Sequence, residues 1–176
     1  MFNPSSGLVS CPLAMTDGAA YTLRELKKEG IYWNEDLEKA YKALISNDPK
    51  KMWTSGQWMT EKKGGSDVTN GTETFALENP DEKKCFLYGY KWFSSATDSD
   101  MSLALARFPR TEKEIETNEG KLAMVFIKVR KDHSTLNNIE VVRLKDKLGT
   151  RQLPTAELIL RGTVGMRVSD IGKGVK

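Results

Sequence analysis

The stretch Gln57-Trp58-Met59-Thr60-Glu61-Lys62-Lys63-Gly64-Gly65-Ser66-Asp67 tells most about the fold. Its first residues predict a short strand, and the strand leads into a loop whose two glycines permit close approach of a ligand. The hydroxyls of Thr60 and Ser66, together with backbone N–H groups, can serve a ring carbonyl or a phosphate. Taken alone, the same residues also fit a plain Gly-Gly turn between two edge strands.

A second segment, Gly89-Tyr90-Lys91-Trp92-Phe93-Ser94-Ser95-Ala96, is dense in aromatic residues and ends in two hydroxyl residues. A planar heteroaromatic cofactor needs a flat apolar wall for its ring faces and hydrogen-bond donors for its ring heteroatoms. Aromatic residues in a strand are also common in ordinary cores, so a purely structural role stays open at this point.

Around these segments, short apolar runs separated by Gly, Asn, Asp and Pro predict a β-domain. The predicted strands cover residues 56–59, 73–78, 85–93, 102–108, 122–128, 139–144 and 156–161. We interpret Asn79-Pro80-Asp81 as a hairpin connection, and the acidic residues 111–119 as an exposed loop.

The first third of the chain is predicted to be helical. Apolar residues recur every three or four positions after an N-cap region at Thr16-Asp17, and Gly30 ends this helix. A second helix begins after Asn34 and ends at Asn47-Asp48-Pro49. The expected fold class is α+β and mainly β, with a helical segment over residues 1–54, a β-domain over 55–171, and the start of a truncated helical domain at 172–176.

Composition excludes several classes of protein. Hydrophobic residues make up 39% of the 176 residues and charged residues 29%, a balance typical of soluble globular proteins. No apolar run approaches the roughly 20 residues that span a bilayer. The formal charge of +3 is too small to indicate nucleic-acid binding by itself.

The cysteines, the histidine and the acidic pairs do not indicate a metal site. Cys11 and Cys85 have the apolar neighbours typical of buried thiols, so we expect an intracellular protein, whether mitochondrial or cytoplasmic. His133 is interpreted as a surface residue, and Asp98 and Asp100 lack the count and spacing of a calcium loop.

Three ordered motifs resemble the acyl-CoA dehydrogenase family. Residues 60–67 match T-E-x-x-x-G-S-D, and residues 89–95 match G-x-K-x-(aromatic)-x-(S/T). Lys147-Leu148-Gly149-Thr150-Arg151 is similar to the (M/L)-G-x-R turn, with Thr155 where members commonly have Ser or Thr. Residues 11–16 and 143–149 look most like the alkylation-response (AidB-like) branch.

The resemblance implies the family's compact antiparallel β-barrel or sandwich middle domain, with FAD as cofactor. It implies that Thr60 hydrogen-bonds the pyrimidine edge of the flavin and that Phe93 packs against the ring. Ser95 presents a hydroxyl towards flavin N5, and Ser66 and Ser95 face the acyl-CoA thioester. The full set of implied cofactor contacts is Gln57, Met59, Thr60, Gly65, Ser66, Phe93, Ser94 and Ser95.

The family's α,β-dehydrogenation needs a carboxylate base that lies in the C-terminal helical domain, so we expect no catalytic residue in this chain and no activity of the chain alone. The resemblance also implies a full-length dimer or tetramer. Two alternatives stay open: a flavin-containing fatty-acyl-binding or regulatory protein with little turnover, and a nucleic-acid-associated flavoprotein.

The sequence departs from the family pattern at two positions, and it also contains a run of basic residues. Lys62 stands where many members have Pro, and Ser169 replaces a common Gly. The basic run of Arg143, Lys145, Lys147 and Arg151 is compatible with phosphate binding, but the interleaved Asp146 favours a solvated strand edge.

Overall fold

The computed structural model describes residues 6–79 and 82–174. Its two long helices are α1 (Ser10–Glu29) and α2 (Glu35–Leu44). α1 ends at Gly30, whose φ of 75° allows its N–H to bond back to Leu26 O. α2 begins after Asn34, whose side chain accepts a hydrogen bond from the N–H of Leu37. These two boundaries are as predicted.

The start of α1 differs from the prediction. The helix begins at Ser10 rather than near Thr16, because Pro12 lies in its first turn, where a missing N–H has no cost. Cys11 consequently lies in that first turn and is exposed, so the expectation of a buried thiol was wrong for Cys11. It was right for Cys85, which is buried.

Seven strands follow in the described part of the chain. They are β1 (Ser55–Trp58), β2 (Phe75–Asn79), β3 (Lys84–Ser95), β4 (Met101–Phe108), β5 (Lys121–Lys128), β6 (Ile139–Leu144) and β7 (Thr155–Arg167). Two short helices, α3 (Val68–Gly71) and α4 (Glu112–Thr117), lie in the connections between them.

The strands form one mixed sheet around the two longest of them, β3 and β7. β3 pairs antiparallel with β2 and β7, and β7 also pairs antiparallel with β5 and β6. β4 pairs antiparallel with β5 and parallel with β1. β4 meets β2 only at Phe75 and Arg107, also in parallel, so the sheet curls without forming a closed barrel.

The mainly β fold with an N-terminal helical segment is as predicted, but the sheet is mixed rather than purely antiparallel. The connection from β1 to β4 passes through the β2–β3 hairpin, and such a long crossover returns the chain in the parallel direction. Asn79 pairs with Lys84 across that hairpin, while Pro80 and Asp81 of the predicted turn lie outside the described residues.

Two further element predictions were wrong. Residues 111–119 are not only a loop, because Thr111 caps α4 by accepting a hydrogen bond from the N–H of Glu114. β7 does not stop at residue 161, since Gly162 takes a φ of 72° and lets the strand continue to Arg167.

Two apolar clusters support the sheet. One lies within the sheet and includes Trp58, Leu87 and Leu158. The other joins α1 and α2 to one end of the sheet through Leu23 and Leu37. No helix in the described ranges is both long and apolar enough to cross a membrane.

Candidate functional site

Ser95 lies at the end of β3, where three strands meet. Its backbone carbonyl accepts a hydrogen bond of 3.1 Å from the indole Nε1 of Trp58 on β1. On the other side Ser95 pairs with Thr155, the first residue of β7, and the two side-chain oxygens are 2.7 Å apart. Ser95 of the second motif is thus held from both sides, by Trp58 just before the first motif and by Thr155 just after the third.

A β-bulge shapes the strand just before Ser95. The pairing of β3 with β7 shifts by one residue between Lys91 and Ser94, which takes Trp92 and Phe93 out of the ladder. The free N–H of Trp92 donates to Thr60 O at 3.0 Å, so the bulge joins the first motif to the second. Phe93 stands at the surface with 42% of its side chain exposed.

A buried ion pair anchors the loop after Thr60. The carboxylate of Glu61 accepts hydrogen bonds from Glu73 N at 2.7 Å, from Thr74 N at 3.0 Å and from Lys91 Nζ at 2.5 Å. Lys91 is fully buried and also donates to Leu105 O at 2.9 Å. Burial lowers the pKa of Lys91, and the charge of Glu61 opposes that shift.

The glycines of the loop have different roles. Gly64 packs directly on Gly71 of α3, so close that a Cβ on Gly71 would lie 2.3 Å from Gly64 Cα. Gly65 has open space around it, and both Gly65 and Ser66 are exposed. In the described ranges, no side-chain hydrogen bond brings Ser66 to Ser95.

The remaining predicted contact residues differ in exposure. Gln57 is exposed on β1, and Met59 is half-buried against the cluster that joins the helices to the sheet. Ser94 is fully buried, and its hydroxyl has no hydrogen-bond partner among the described residues. The backbone bond from Trp92 to Thr60 places Thr60 beside the part of β3 that carries Phe93 and Ser95. In the described ranges, no hydrogen bond joins Gln57 or Ser66 to these residues.

Sequence reasoning missed a buried carboxylate next to this surface. Glu157 of β7 is 2% exposed and accepts hydrogen bonds from Arg143 Nε at 2.9 Å, from Lys145 Nζ at 2.6 Å and from the Tyr90 hydroxyl. These bonds, led by that from Arg143, lower the pKa of Glu157 to about 2. The Lys145 ammonium also lies 3.0 Å from the centroid of the Trp92 ring.

The basic run follows the exposed edge strand β6, as predicted, and Arg143 and Lys145 also bind Glu157. Lys147 donates to Thr155 Oγ1 at 2.8 Å, and Arg151 pairs with Asp146 at 3.2 Å. Glu157 could have been found from the sequence, because it is the one acidic residue in the apolar strand β7 and a buried carboxylate requires cationic partners.

The surface around Ser95 fits one edge of a planar heteroaromatic group. Phe93 offers an exposed aromatic face, and the Lys147 ammonium is 5.8 Å from the centroid of that ring. The Ser95 hydroxyl, which contacts the buried Thr155 hydroxyl, can supply a donor beside it. The described residues contain no group of three His, Cys, Asp or Glu side chains arranged for a metal ion.

Fold and surface together define an α+β middle domain of an acyl-CoA dehydrogenase, and residues 56–163 match the family model described as "Acyl-CoA dehydrogenase, middle domain". The chain belongs to the acyl-CoA dehydrogenase family. The resemblance inferred from the three motifs is therefore confirmed.

A relative in Caenorhabditis elegans is similar to this chain in sequence and in structure. Acyl-CoA dehydrogenase family member 11 of Caenorhabditis elegans is 51% identical over 176 residues, which are 99% of this chain and 28% of the relative. The crystal structure of ACDH-11 from the same organism, in complex with C11-CoA, superposes with a TM-score of 0.86 at 49% identity. That match covers 99% of this chain and 29% of ACDH-11.

Two more distant proteins are also similar to this chain. The AidB protein of Escherichia coli is 31% identical over 170 residues, 94% of this chain and 29% of AidB. An acyl-CoA dehydrogenase of Bacillus anthracis, solved in complex with FAD, has a TM-score of 0.60 at 21% identity, over 80% of this chain and 22% of that one. The last likeness shows the fold alone. This chain spans less than a third of each of these relatives.

Proposed function

We propose that this chain contributes the flavin-facing wall of an FAD-dependent acyl-CoA dehydrogenase that introduces an α,β double bond into an acyl-CoA thioester. The observation that carries the proposal is the meeting of the three motif-bearing segments at Ser95, through Trp58 and Thr155. FAD, when bound, supplies the acceptor for the hydride that leaves the β-carbon. The protein residues bind and orient the reacting groups.

Each side chain at the wall has a role in the proposal. Thr60 hydrogen-bonds the pyrimidine edge of the flavin, and Phe93 packs against its ring. Ser95 would donate a hydrogen bond to N5 of a bound flavin, and Ser66 and Ser95 would face the thioester. The bond from Trp92 N to Thr60 O supports this assignment, because it holds Thr60 next to the bulge that exposes Phe93. Gln57, Met59, Gly65 and Ser94 complete the proposed contacts.

The catalytic base in this proposal lies outside the chain. Two buried carboxylates are close to the wall, but Glu61 is bound by Lys91, and Glu157 is bound by Arg143 and Lys145. A carboxylate held in its charged form by cations accepts a proton poorly, as the pKa of about 2 for Glu157 illustrates. We therefore propose that the isolated chain is inactive and that the full-length protein, a dimer or tetramer, supplies the base.

Anaerobic spectroscopy of the full-length protein tests the function. We expect a yellow protein whose flavin absorption is bleached by an acyl-CoA. Ser95→Ala should slow this bleaching by about 100-fold, the effect of losing one donor to a reacting centre. Ser134→Ala, in an exposed loop where the hydroxyl bonds only Asp132, should match the parent protein. A full-length protein that purifies without flavin and takes none up would contradict the proposal.

The second candidate is a fatty-acyl-binding protein with little turnover. The C11-CoA complex of ACDH-11 favours an acyl-CoA ligand and is compatible with both candidates. Acyl-CoA that binds without bleaching the flavin would select the second candidate. Nucleic-acid binding receives less support, because the basic run is engaged by Glu157, Thr155 and Asp146.

A further inference from the structure

The side-chain ammonium of Lys147 lies among three oxygen atoms beside the Ser95 site. Lys147 Nζ is 2.8 Å from Leu153 O, 2.8 Å from Thr155 Oγ1 and 3.2 Å from Thr150 Oγ1. A lysine ammonium donates hydrogen bonds and accepts none. Thr155 Oγ1 therefore accepts a hydrogen bond from Lys147, and the hydroxyl proton of Thr155 points to a different partner.

Two acceptors are within reach of the Thr155 proton. Ser95 Oγ is 2.7 Å away, which is the usual length of a hydroxyl–hydroxyl hydrogen bond. Leu153 O is 3.5 Å away and already accepts from Lys147 at 2.8 Å. The geometry favours donation from Thr155 to Ser95, which makes Ser95 Oγ an acceptor in this contact.

The direction of these bonds determines what Ser95 can do. A serine hydroxyl has one proton, and a Ser95 that accepts from Thr155 keeps that proton for another partner. Ser95 is half-buried, and its backbone is held by Trp58 and by the pairing with Thr155. The Ser95 hydroxyl is therefore fixed in position, and its proton is available to another partner.

We propose that Lys147, acting through Thr155, orients the Ser95 hydroxyl so that its proton is presented to the acceptor atom of the bound flavin. Lys147 and Thr155 are thus positioning residues, and this inference rests on the proposed flavin function. The positive charge beside Thr155 polarises its hydroxyl, and successive hydrogen bonds in such a series strengthen one another.

The other lysines near the wall do not replace Lys147. Lys145 is committed to Glu157 and to the face of Trp92. Lys62 is 5.7 Å from the same ring. Lys145 bonds Thr155 only through the backbone, from Lys145 N to Thr155 O at 2.7 Å. Neither of the two ammonium groups donates to the Ser95 or Thr155 hydroxyl within the described ranges, so the series depends on Lys147 alone among these three lysines.

Nitrogen NMR of the full-length protein loaded with isotope-labelled FAD tests the inference directly, since the N5 resonance reports a hydrogen bond at that atom. We expect Lys147→Met and Thr155→Val to move this resonance in the direction that Ser95→Ala does. Lys147→Arg and Thr155→Ser retain the donor and the hydroxyl, and should keep it near the parent position. Lys42→Met removes an exposed charge on α2 and serves as the control.

The rate of anaerobic flavin reduction by acyl-CoA provides a second readout. It should fall by about fivefold in Lys147→Met and Thr155→Val, the size of one net hydrogen bond. If both variants keep the parent N5 resonance while Ser95→Ala shifts it, the role of Lys147 is refuted and the proposed function stands. If the parent protein binds no flavin, both are refuted.

Discussion

The ion pair of Glu61 and Lys91 shows how one pair of side chains supports the flavin-facing wall. Both side chains are buried, and together they join the loop after Thr60 to β3. The cost of burying these charges is offset only while each has its partner. Their contribution is to hold the loop in one position rather than to supply reactivity.

Removal of one partner should be strongly destabilising. We expect Glu61→Ala to lower the free energy of unfolding by about 3–5 kcal/mol, because Lys91 Nζ, Glu73 N and Thr74 N then lose their buried acceptor. Glu73→Ala, at the exposed pair with Lys63, should change it by about 0.5 kcal/mol or less. Urea denaturation of both variants measures the difference. Equal losses in the free energy of unfolding would show that the buried pair stabilises the fold no more than the exposed pair does.

The Glu157 cluster predicts a dependence of stability on pH. The pKa of Glu157 falls from 4.5 to about 2 on folding. A carboxyl whose pKa is lower in the folded state stabilises the protein fully above the unfolded value, and this stabilisation is lost as the pH falls towards the folded value.

Glu157→Gln should therefore have a smaller decline in the free energy of unfolding between pH 4.5 and about pH 2 than the parent protein has. Denaturation at a series of pH values measures the two slopes, and Glu112→Gln, an exposed substitution in α4, is the control. Parallel slopes for the parent and Glu157→Gln would contradict the assignment.

At the scale of elements, the contact between the loop and α3 depends on two facing glycines. Gly71→Ala should lower the free energy of unfolding by about 1–3 kcal/mol, because the new methyl group meets Gly64 Cα. Gly65→Ala, in open space, should leave stability nearly unchanged. Thermal unfolding compares the two, and a neutral Gly71→Ala would mean that the loop and α3 separate easily.

Some elements could be predicted from the sequence and others could not, for physical reasons. Asn34 and Gly30 act through bonds to residues three or four positions away, so the sequence shows these boundaries directly. The continuation of β7 through Gly162 depends on its neighbouring strands, because the same glycine is also compatible with a turn. The parallel pairing of β1 with β4 likewise depends on contacts distant in sequence.

The same distinction applies to the candidate site. Thr60, Phe93 and Ser95 could be singled out from the sequence because the motifs that contain them occur in the same order as in the family. The partners of Ser95 were not evident, since Lys147 and Thr155 approach it only when β3 and β7 pair. The burial of Glu157 depends equally on cations from the neighbouring strand β6 and the residues after it.

For the whole molecule, we predict that the isolated chain does not reduce FAD with acyl-CoA, because the proposed base and part of the cofactor site lie elsewhere in the full-length protein. The measurement is anaerobic absorbance of the chain mixed with excess FAD and acyl-CoA, beside the full-length protein. Bleaching by the isolated chain would require a base among its own residues.

The four tryptophans fall into two groups with different surroundings. Trp33 and Trp53 pack in the cluster around α1 and α2, whereas Trp58 and Trp92 contact Ser95 and Thr60. Indole emission overlaps the absorption of a flavin, so a flavin at the wall would quench the second pair first. In a Trp33→Phe/Trp53→Phe variant, the fluorescence would come from Trp58 and Trp92 alone, and an increase in its intensity would report release of the cofactor in real time.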